Sequence, residues 1–126
     1  MNYRMLKIGD IVSRLKFPGV RHVGVVVGPD AVCHNTPERG EHVSTIAEFA
    51  AGQEIAVKHS GITPAVIIAN AKRILANPKR YDAAVRNCEH TVSEILSGIA
   101  ESSAVAVCGI VGILLAVLGL ASLSKK

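Results

Sequence analysis

The sequence predicts an α+β protein in which a small antiparallel β-sheet packs on helices. A β-branched run, His22–Val27, is followed by turn residues at 28–30 and a second extended run, Ala31–Asn35, which together indicate a hairpin. Apolar residues recur at three- and four-residue steps over Val66–Leu75 and again from Val92 onward, as in amphipathic helices. The 126 residues have room for one domain.

Short segments bounded by turn residues complete the predicted sheet. Gly9-Asp10 precedes a strand over Ile11–Leu15, and a further strand is expected over Ile55–His59. Between them, residues 36–41 predict a loop, and Ser44–Phe49 predicts a short capped helix.

The two longer helices carry clear start signals. Thr63 followed by Pro64 is typical of a cap and a first helical turn, and this helix should end at Asn77 before Pro78. Asn87 is a favourable N-cap, so the next helix should begin at Cys88. The dipole at a helix start favours negative charge, and we therefore expect a lowered thiol pKa and a thiolate at neutral pH. Taken alone, however, a free cysteine is more often a small buried hydrophobe.

Two histidines can share one face of the predicted hairpin. If the loop is the three residues 28–30, Val27 pairs with Ala31 and Gly24 pairs with His34. His22 and His34 then lie diagonally on one face, with the space left by Gly24 between them. A one-residue slip would turn His34 to the other face. Cys33 points away into the core, whereas His42 and His59 are expected at the surface without partners.

Composition excludes several classes of function. The net charge of +4 comes without a dense basic run, and the chain has two Tyr, two Phe and no Trp, so nucleic-acid binding is not expected. The three cysteines have no CxxC spacing, which argues against a zinc site or a disulfide framework. We expect neither a metal nor a cofactor.

The C-terminal part of the sequence predicts a membrane helix. Residues 102–124 are 23 residues without a charge, which is long enough for the bilayer core of about 30 Å. Small residues at four-residue steps could pack such helices together into a homo-oligomer: Ala104, Cys108, Gly112 and Ala116. The N-terminal residues do not resemble a signal peptide, and we expect a single C-terminal anchor with the preceding domain facing the cytosol.

Three pieces of the sequence form a set: Gly9–Val12, then Arg21–Gly24 with Val26–Gly28 and His34, and then Asn87-Cys88-Glu89-His90 followed by Val92. In this order they resemble the lecithin:retinol acyltransferase-like and phospholipase A/acyltransferase family. This family is a circularly permuted branch of the NlpC/P60 papain-like thiol enzymes. The resemblance therefore implies that fold, with residues 1–101 as the enzyme domain and residues 102–124 as the anchor. Val23 stands where members of the animal branch commonly have Trp.

The resemblance implies a catalytic role for three residues. Cys88 corresponds to the nucleophile, His22 to the general base, and His34 to the residue that orients the base. His90 lies two positions along the helix from Cys88, so a structural role is expected for it. The implied activity is acyl transfer or phospholipase A hydrolysis of phospholipid or other acyl esters, through a thioester on Cys88.

Two other functions share these residues. A peptidase or amidase of the NlpC/P60 type would use the same triad, although the expected lack of a secretion signal argues against a cell-wall target. A catalytically inactive membrane adaptor would function through its apolar C-terminal segment. The intact set of Cys88, His22 and His34 argues against the adaptor.

Overall fold

A computed structural model describes residues 5–83 and 86–98 and shows an α+β fold with a five-stranded antiparallel sheet. The strand order is β4-β3-β2-β1-β5. The strands are β1 Asp10–Phe17, β2 Val20–Gly28, β3 Ala31–Thr36, β4 Gly40–Ser44 and β5 Ala56–His59; the helices are α1 Ile46–Ala50, α2 Pro64–Ala76 and α3 Cys88–Ser97. The predicted antiparallel sheet packed on helices is confirmed.

The register of the β2–β3 hairpin agrees with the prediction except at its turn. Gly24 pairs with His34 and Val26 with Val32, as expected. The expected Val27–Ala31 pair is wrong, because the register shifts after Val26 and Gly28 pairs with Ala31 instead. Val27 is therefore an extra residue at the turn, and the end of the hairpin that carries the histidines keeps its predicted register.

β4 was not predicted. The expected loop over residues 36–41 overlaps Gly40–Ser44, which pairs with β3 along its whole length. This strand has little of the usual sequence signal, because its one large apolar residue, Val43, is exposed, whereas Glu41 is buried. The pairing brings His42 directly opposite His34 and places Ser44 opposite Val32.

The helix starts follow the capping signals, with one correction. α2 begins at Pro64 after Thr63 and ends with Asn77 as its C-cap, as predicted. α1 is capped by Thr45 rather than Ser44: the Thr45 side chain accepts from the Glu48 N–H, and the Glu48 side chain accepts from the Thr45 N–H. This leaves the Ser44 hydroxyl available for other contacts.

Hydrophobic side chains form two cores, one on each face of the sheet. One contains Val12, Val26 and Val32 of the sheet with Ile46 and Phe49 of α1. In the other, side chains of α2 and α3 pack on the opposite face of β2 and β3: Val25, Cys33, Ile67, Ile74, Val92 and Ile95. Cys33 is therefore core packing, as predicted.

The predicted membrane helix over residues 102–124 lies outside the described residues. In the part of the chain that is described, no helix is both long and apolar enough to cross a bilayer.

Candidate active site

The two predicted histidines meet on the α1 face of the sheet. His22 on β2 and His34 on β3 are both buried, and His22 Nε2 lies 2.8 Å from His34 Nδ1. Gly24 makes this approach possible, because a Cβ there would lie 2.7 Å from Val32 Cγ1 and 3.1 Å from His34 Cβ. The predicted diagonal contact across Gly24 is confirmed.

A third hydrogen bond fixes the direction of this contact. His34 Nε2 lies 2.9 Å from Ser44 Oγ, and the Ser44 hydroxyl donates to the Thr45 carbonyl oxygen at 3.0 Å. Since a carbonyl oxygen can only accept, Ser44 Oγ accepts from the His34 Nε2–H. His34 Nδ1 then accepts from the His22 Nε2–H, and the lone pair of neutral His22 is on Nδ1.

The surroundings of the pair keep both rings neutral. Burial, together with the cations Arg14 and Lys16, lowers the pKa of His22 to about 4. Burial and the neighbouring His22 and His42 lower the pKa of His34 to about 3. The Phe49 ring stacks on His22 and meets His34 edge-on, each at 5.1 Å between centroids, which excludes water from both imidazoles. A neutral imidazole can accept a proton at physiological pH.

Cys88 is the first residue of α3, as predicted. The Asn87 side-chain oxygen accepts from the N–H groups of Glu89 and His90 at 2.8 and 3.1 Å. His90 completes the cap from the other side, because its Nδ1 accepts from the Asn87 N–H at 3.0 Å. The cap thus holds the first turn rigidly, and the predicted structural contact of His90 is confirmed.

The Cys88 thiol lies against β2. The backbone N–H of Val23, the residue after His22, faces the thiol, as does the N–H of Cys88 itself. The expected low thiol pKa is wrong: burial raises the pKa of Cys88 above its ordinary value, although these N–H groups and Lys16 oppose the rise. Burial disfavours the charged thiolate, and at Cys88 this effect outweighs the stabilisation that a helix start provides. The resting group is a thiol, which needs a base to ionise it.

Residues 4–101 match the family described as lecithin retinol acyltransferase. The match covers more than three quarters of the 126-residue chain. The chain belongs to the lecithin retinol acyltransferase family. No curated protein matches it. The family match spans His22, His34 and Cys88, and it assigns the chain to a family of acyltransferase and phospholipase-type thiol enzymes.

Two residues that affect the candidate catalytic side chains were not predicted from the sequence. Ser44 was interpreted as a helix cap, and its contact with His34 depends on β4, which was not predicted. Lys16 is the extra residue in β1 where the pairing with β2 shifts between Leu15 and Phe17. A β-bulge of this kind commonly redirects a side chain beside an active site.

Lys16 is a cation whose charge affects the pKa of both His22 and Cys88. It lowers the pKa of His22 and opposes the rise in the pKa of Cys88. Its Nζ is held by the Tyr81 hydroxyl at 3.3 Å and lies 5.1 Å from the centre of the Tyr81 ring. A negative charge that develops near Cys88 would be stabilised by this ammonium.

The expectations for the two remaining histidines are partly wrong. His42 is half-buried, with 4.3 Å between its ring centre and that of His34, and its Nδ1–H donates to the Gly40 carbonyl oxygen. His59 is exposed, as predicted, but its Nδ1 lies 2.6 Å from the buried Asp10 carboxylate. Within residues 5–83 and 86–98, no group of three or more His, Cys, Asp or Glu side chains is arranged to hold a metal.

Proposed function

We propose that this family member is a thiol acyltransferase with phospholipase A activity, with Cys88 as nucleophile, His22 as general base and His34 as the residue that orients the base. The observation that supports this most directly is the chain of hydrogen bonds from Ser44 through His34 to His22. It leaves an unprotonated Nδ1 on a neutral imidazole, on the strand against which the Cys88 thiol lies.

In the first half-reaction, His22 Nδ1 takes the Cys88 thiol proton as the sulfur attacks the ester carbonyl carbon. The carbonyl oxygen becomes negative, and the Cys88 N–H at the helix start is a candidate donor to it. The intermediate then expels the alcohol of the ester, which leaves with the proton held on His22. The product is a thioester between the acyl group and Cys88.

The second half-reaction repeats these steps with a new nucleophile. Neutral His22 removes a proton from water, an alcohol or an amine as that molecule attacks the thioester carbonyl. The proton then returns to the departing Cys88 sulfur. Hydrolysis and acyl transfer thus differ only in the acceptor, and one arrangement of residues serves both.

The proposed donor is a phospholipid or a related acyl ester at a membrane surface. Family membership supports this class of substrate. The uncharged segment 102–124 supports it separately, because a C-terminal membrane helix would hold the site at the cytosolic face of a bilayer. The same helix could associate with copies of itself.

The test is to trap the thioester. Full-length protein mixed with dipalmitoyl phosphatidylcholine vesicles should gain the mass of one palmitoyl group on the peptide that contains Cys88, and lysophospholipid should form with it. Neutral hydroxylamine should remove the adduct. Cys88→Ser should abolish the thioester, whereas Cys33→Ala, at the fully buried cysteine in the core between the sheet and α2–α3, should leave it unchanged.

Other outcomes would contradict the proposal. Cleavage of small amides or dipeptides that depends on Cys88, with no lysophospholipid, would assign the site to a peptidase or amidase. No adduct and no cleavage of any substrate by folded protein in vesicles would indicate a non-catalytic adaptor.

A further inference from the structure

A groove begins next to Cys88, at Glu89, and extends along one side of α3. It has a volume of about 590 Å³. Its apolar lining comes from β1, β2 and α3: Ile11, Val23, Val92 and Leu96. Glu89, the residue after Cys88, lies at one end, and Ser93 and Ser97 follow along the helix. Because these steps of four residues follow one side of α3, the groove extends about 13 Å beyond Cys88.

Val23 connects this groove to the thiol. Its backbone N–H faces the Cys88 sulfur, and its side chain lines the groove. A group bound covalently to that sulfur would therefore lie next to a residue that also lines the groove. Glu89 reinforces the connection, since it follows Cys88 directly and also lines the groove.

The lining of the groove favours a hydrocarbon ligand. Aliphatic side chains supply most of its surface, and its polar groups are the hydroxyls of Ser93 and Ser97 on α3 and two charged residues, Glu89 at the thiol end and the exposed Lys58 on β5. A polar head group lying across the aliphatic side chains would lose water there without gaining hydrogen bonds from them. An acyl chain would bury apolar surface against it, which is favourable in proportion to the area buried.

We infer that this groove binds the acyl chain of the substrate and that α3 sets the chain length the enzyme accepts. The inference rests on the proposed function, because it takes the acyl group to be attached to Cys88. An ester with a short chain would reach only as far as Ser93, and a longer one would continue to Ser97. The outer end of α3 would then discriminate among long chains, and its first two turns would act on all but the shortest.

A second groove provides a matched control. It is larger, about 690 Å³, and is also largely apolar, but it lies at the other end of β2 beside the hairpin turn and α1. Val26 lines it, three residues along the strand from Val23, which corresponds to about 10 Å. Ala47, exposed on α1, also lines it, so a large side chain there fills a groove that is remote from Cys88.

The experiment compares three tryptophan variants of the full-length protein in detergent micelles. Ser93→Trp, Ser97→Trp and Ala47→Trp are assayed with p-nitrophenyl acetate, octanoate and palmitate. For Ser93→Trp, both the octanoate-to-acetate and the palmitate-to-acetate ratios of kcat/KM should fall about tenfold. For Ser97→Trp, the palmitate ratio alone should fall, and for Ala47→Trp all three rates should match the unmodified protein.

A binding measurement separates the groove from catalysis. In the Cys88→Ser background, a fluorescent dansyl fatty acid should bind at least fivefold more weakly to Ser93→Trp than to Ala47→Trp. If both variants bind the probe equally, or if Ser93→Trp keeps the chain-length profile of the unmodified protein, the groove assignment is wrong. If the probe shows the expected difference but no ester is cleaved, the groove stands and the proposed function fails.

Discussion

Two buried polar clusters beside β4 compensate for the loss of water in different ways. On the α1 face, His22 and His34 are neutral at pH 7 and are joined by hydrogen bonds to each other and to Ser44. On the opposite face, Glu41 and Arg86 form an ion pair in which the carboxylate side chain is fully buried and the guanidinium is 12% exposed. A neutral imidazole can take up a proton and release it again, whereas the two opposite charges of the ion pair hold their side chains in one arrangement.

The contacts of the ion pair indicate what it stabilises. Glu41 Oε2 accepts from Arg86 Nε and from Thr91 Oγ1, both at 2.8 Å, and Glu41 Oε1 accepts from the Lys79 N–H at 2.7 Å. One carboxylate thus joins β4 to the segment before Cys88 and to α3. The neutral cluster is suited to chemistry, and the charged one to keeping the helix start in place.

The largest expected effect comes from removing the charge of Glu41. Glu41→Gln leaves the Arg86 guanidinium with Glu94 as its remaining carboxylate. Loss of one partner of a buried ion pair costs about 3–5 kcal/mol when the other charge is left alone, and because Arg86 keeps Glu94, urea unfolding should show a decrease near the lower end of that range. Arg73→Gln removes an exposed pair with Glu94, at 3.7 Å, and a hydrogen bond to Asn70 Oδ1, and should cost less than about 2 kcal/mol. Equal losses in the two variants would show that burial does not set the strength of these pairs.

The neutral cluster should make the protein sensitive to acid. In the fold, the pKa values of His22 and His34 are about 4 and 3, whereas unfolded histidine binds its proton near 6.5. The unfolded chain therefore binds more protons between about pH 6.5 and 4. The contribution of the two neutral histidines to stability is complete above pH 6.5 and is lost as the pH falls. The free energy of unfolding should decrease by up to about 1.4 kcal/mol per pH unit for each proton.

Urea unfolding at several pH values between 7 and 4.5 measures this slope. His22→Gln combined with His34→Gln should reduce it strongly, leaving a smaller contribution from His90, whose pKa burial also lowers. His59→Gln, at the exposed histidine, should retain the slope due to the two buried rings. A free energy of unfolding that stays constant from pH 7 to 5 would mean that the buried histidines bind protons in the fold as readily as they do in the unfolded chain.

Local signals explain what the sequence could predict. The start of α3 follows from Asn87, and the contact between His22 and His34 follows from alternation along a hairpin with a short turn. Both depend on residues close together in the chain. The three candidate catalytic positions were accessible for this reason, together with the family resemblance.

The missed features depend on how the chain pairs and packs, which no single segment of sequence shows. Glu41 on β4 can be buried because Arg86 forms an ion pair with it and the Thr91 hydroxyl donates a hydrogen bond to it. No pattern within β4 indicates these partners. The bulge at Lys16 depends on how β1 aligns with β2. The raised pKa of Cys88 results from packing against β2, which outweighs the favourable helix start.

The smallest expected effect comes from Ser44, and it tests whether the neutral cluster acts through its proton arrangement. Ser44→Ala removes the acceptor of the His34 Nε2–H, so His34 can adopt the tautomer with its proton on Nδ1. The His22 proton would then move to Nδ1, which is the nitrogen needed as base. A disturbed hydrogen bond of this kind is worth about 1 kcal/mol, so kcat/KM should fall about fivefold.

Ser44→Thr keeps the hydroxyl and should restore most of the activity, which separates the hydrogen bond from packing. The direct readout is ¹⁵N NMR of the imidazoles: His22 should be protonated at Nε2 in the unmodified protein and in Ser44→Thr, and partly at Nδ1 in Ser44→Ala. If Ser44→Ala lowers stability but leaves both the tautomers and kcat/KM unchanged, Ser44 only packs. The neutral cluster would then orient His22 through His34 alone, and its contrast with the ion pair would be one of charge and not of proton position.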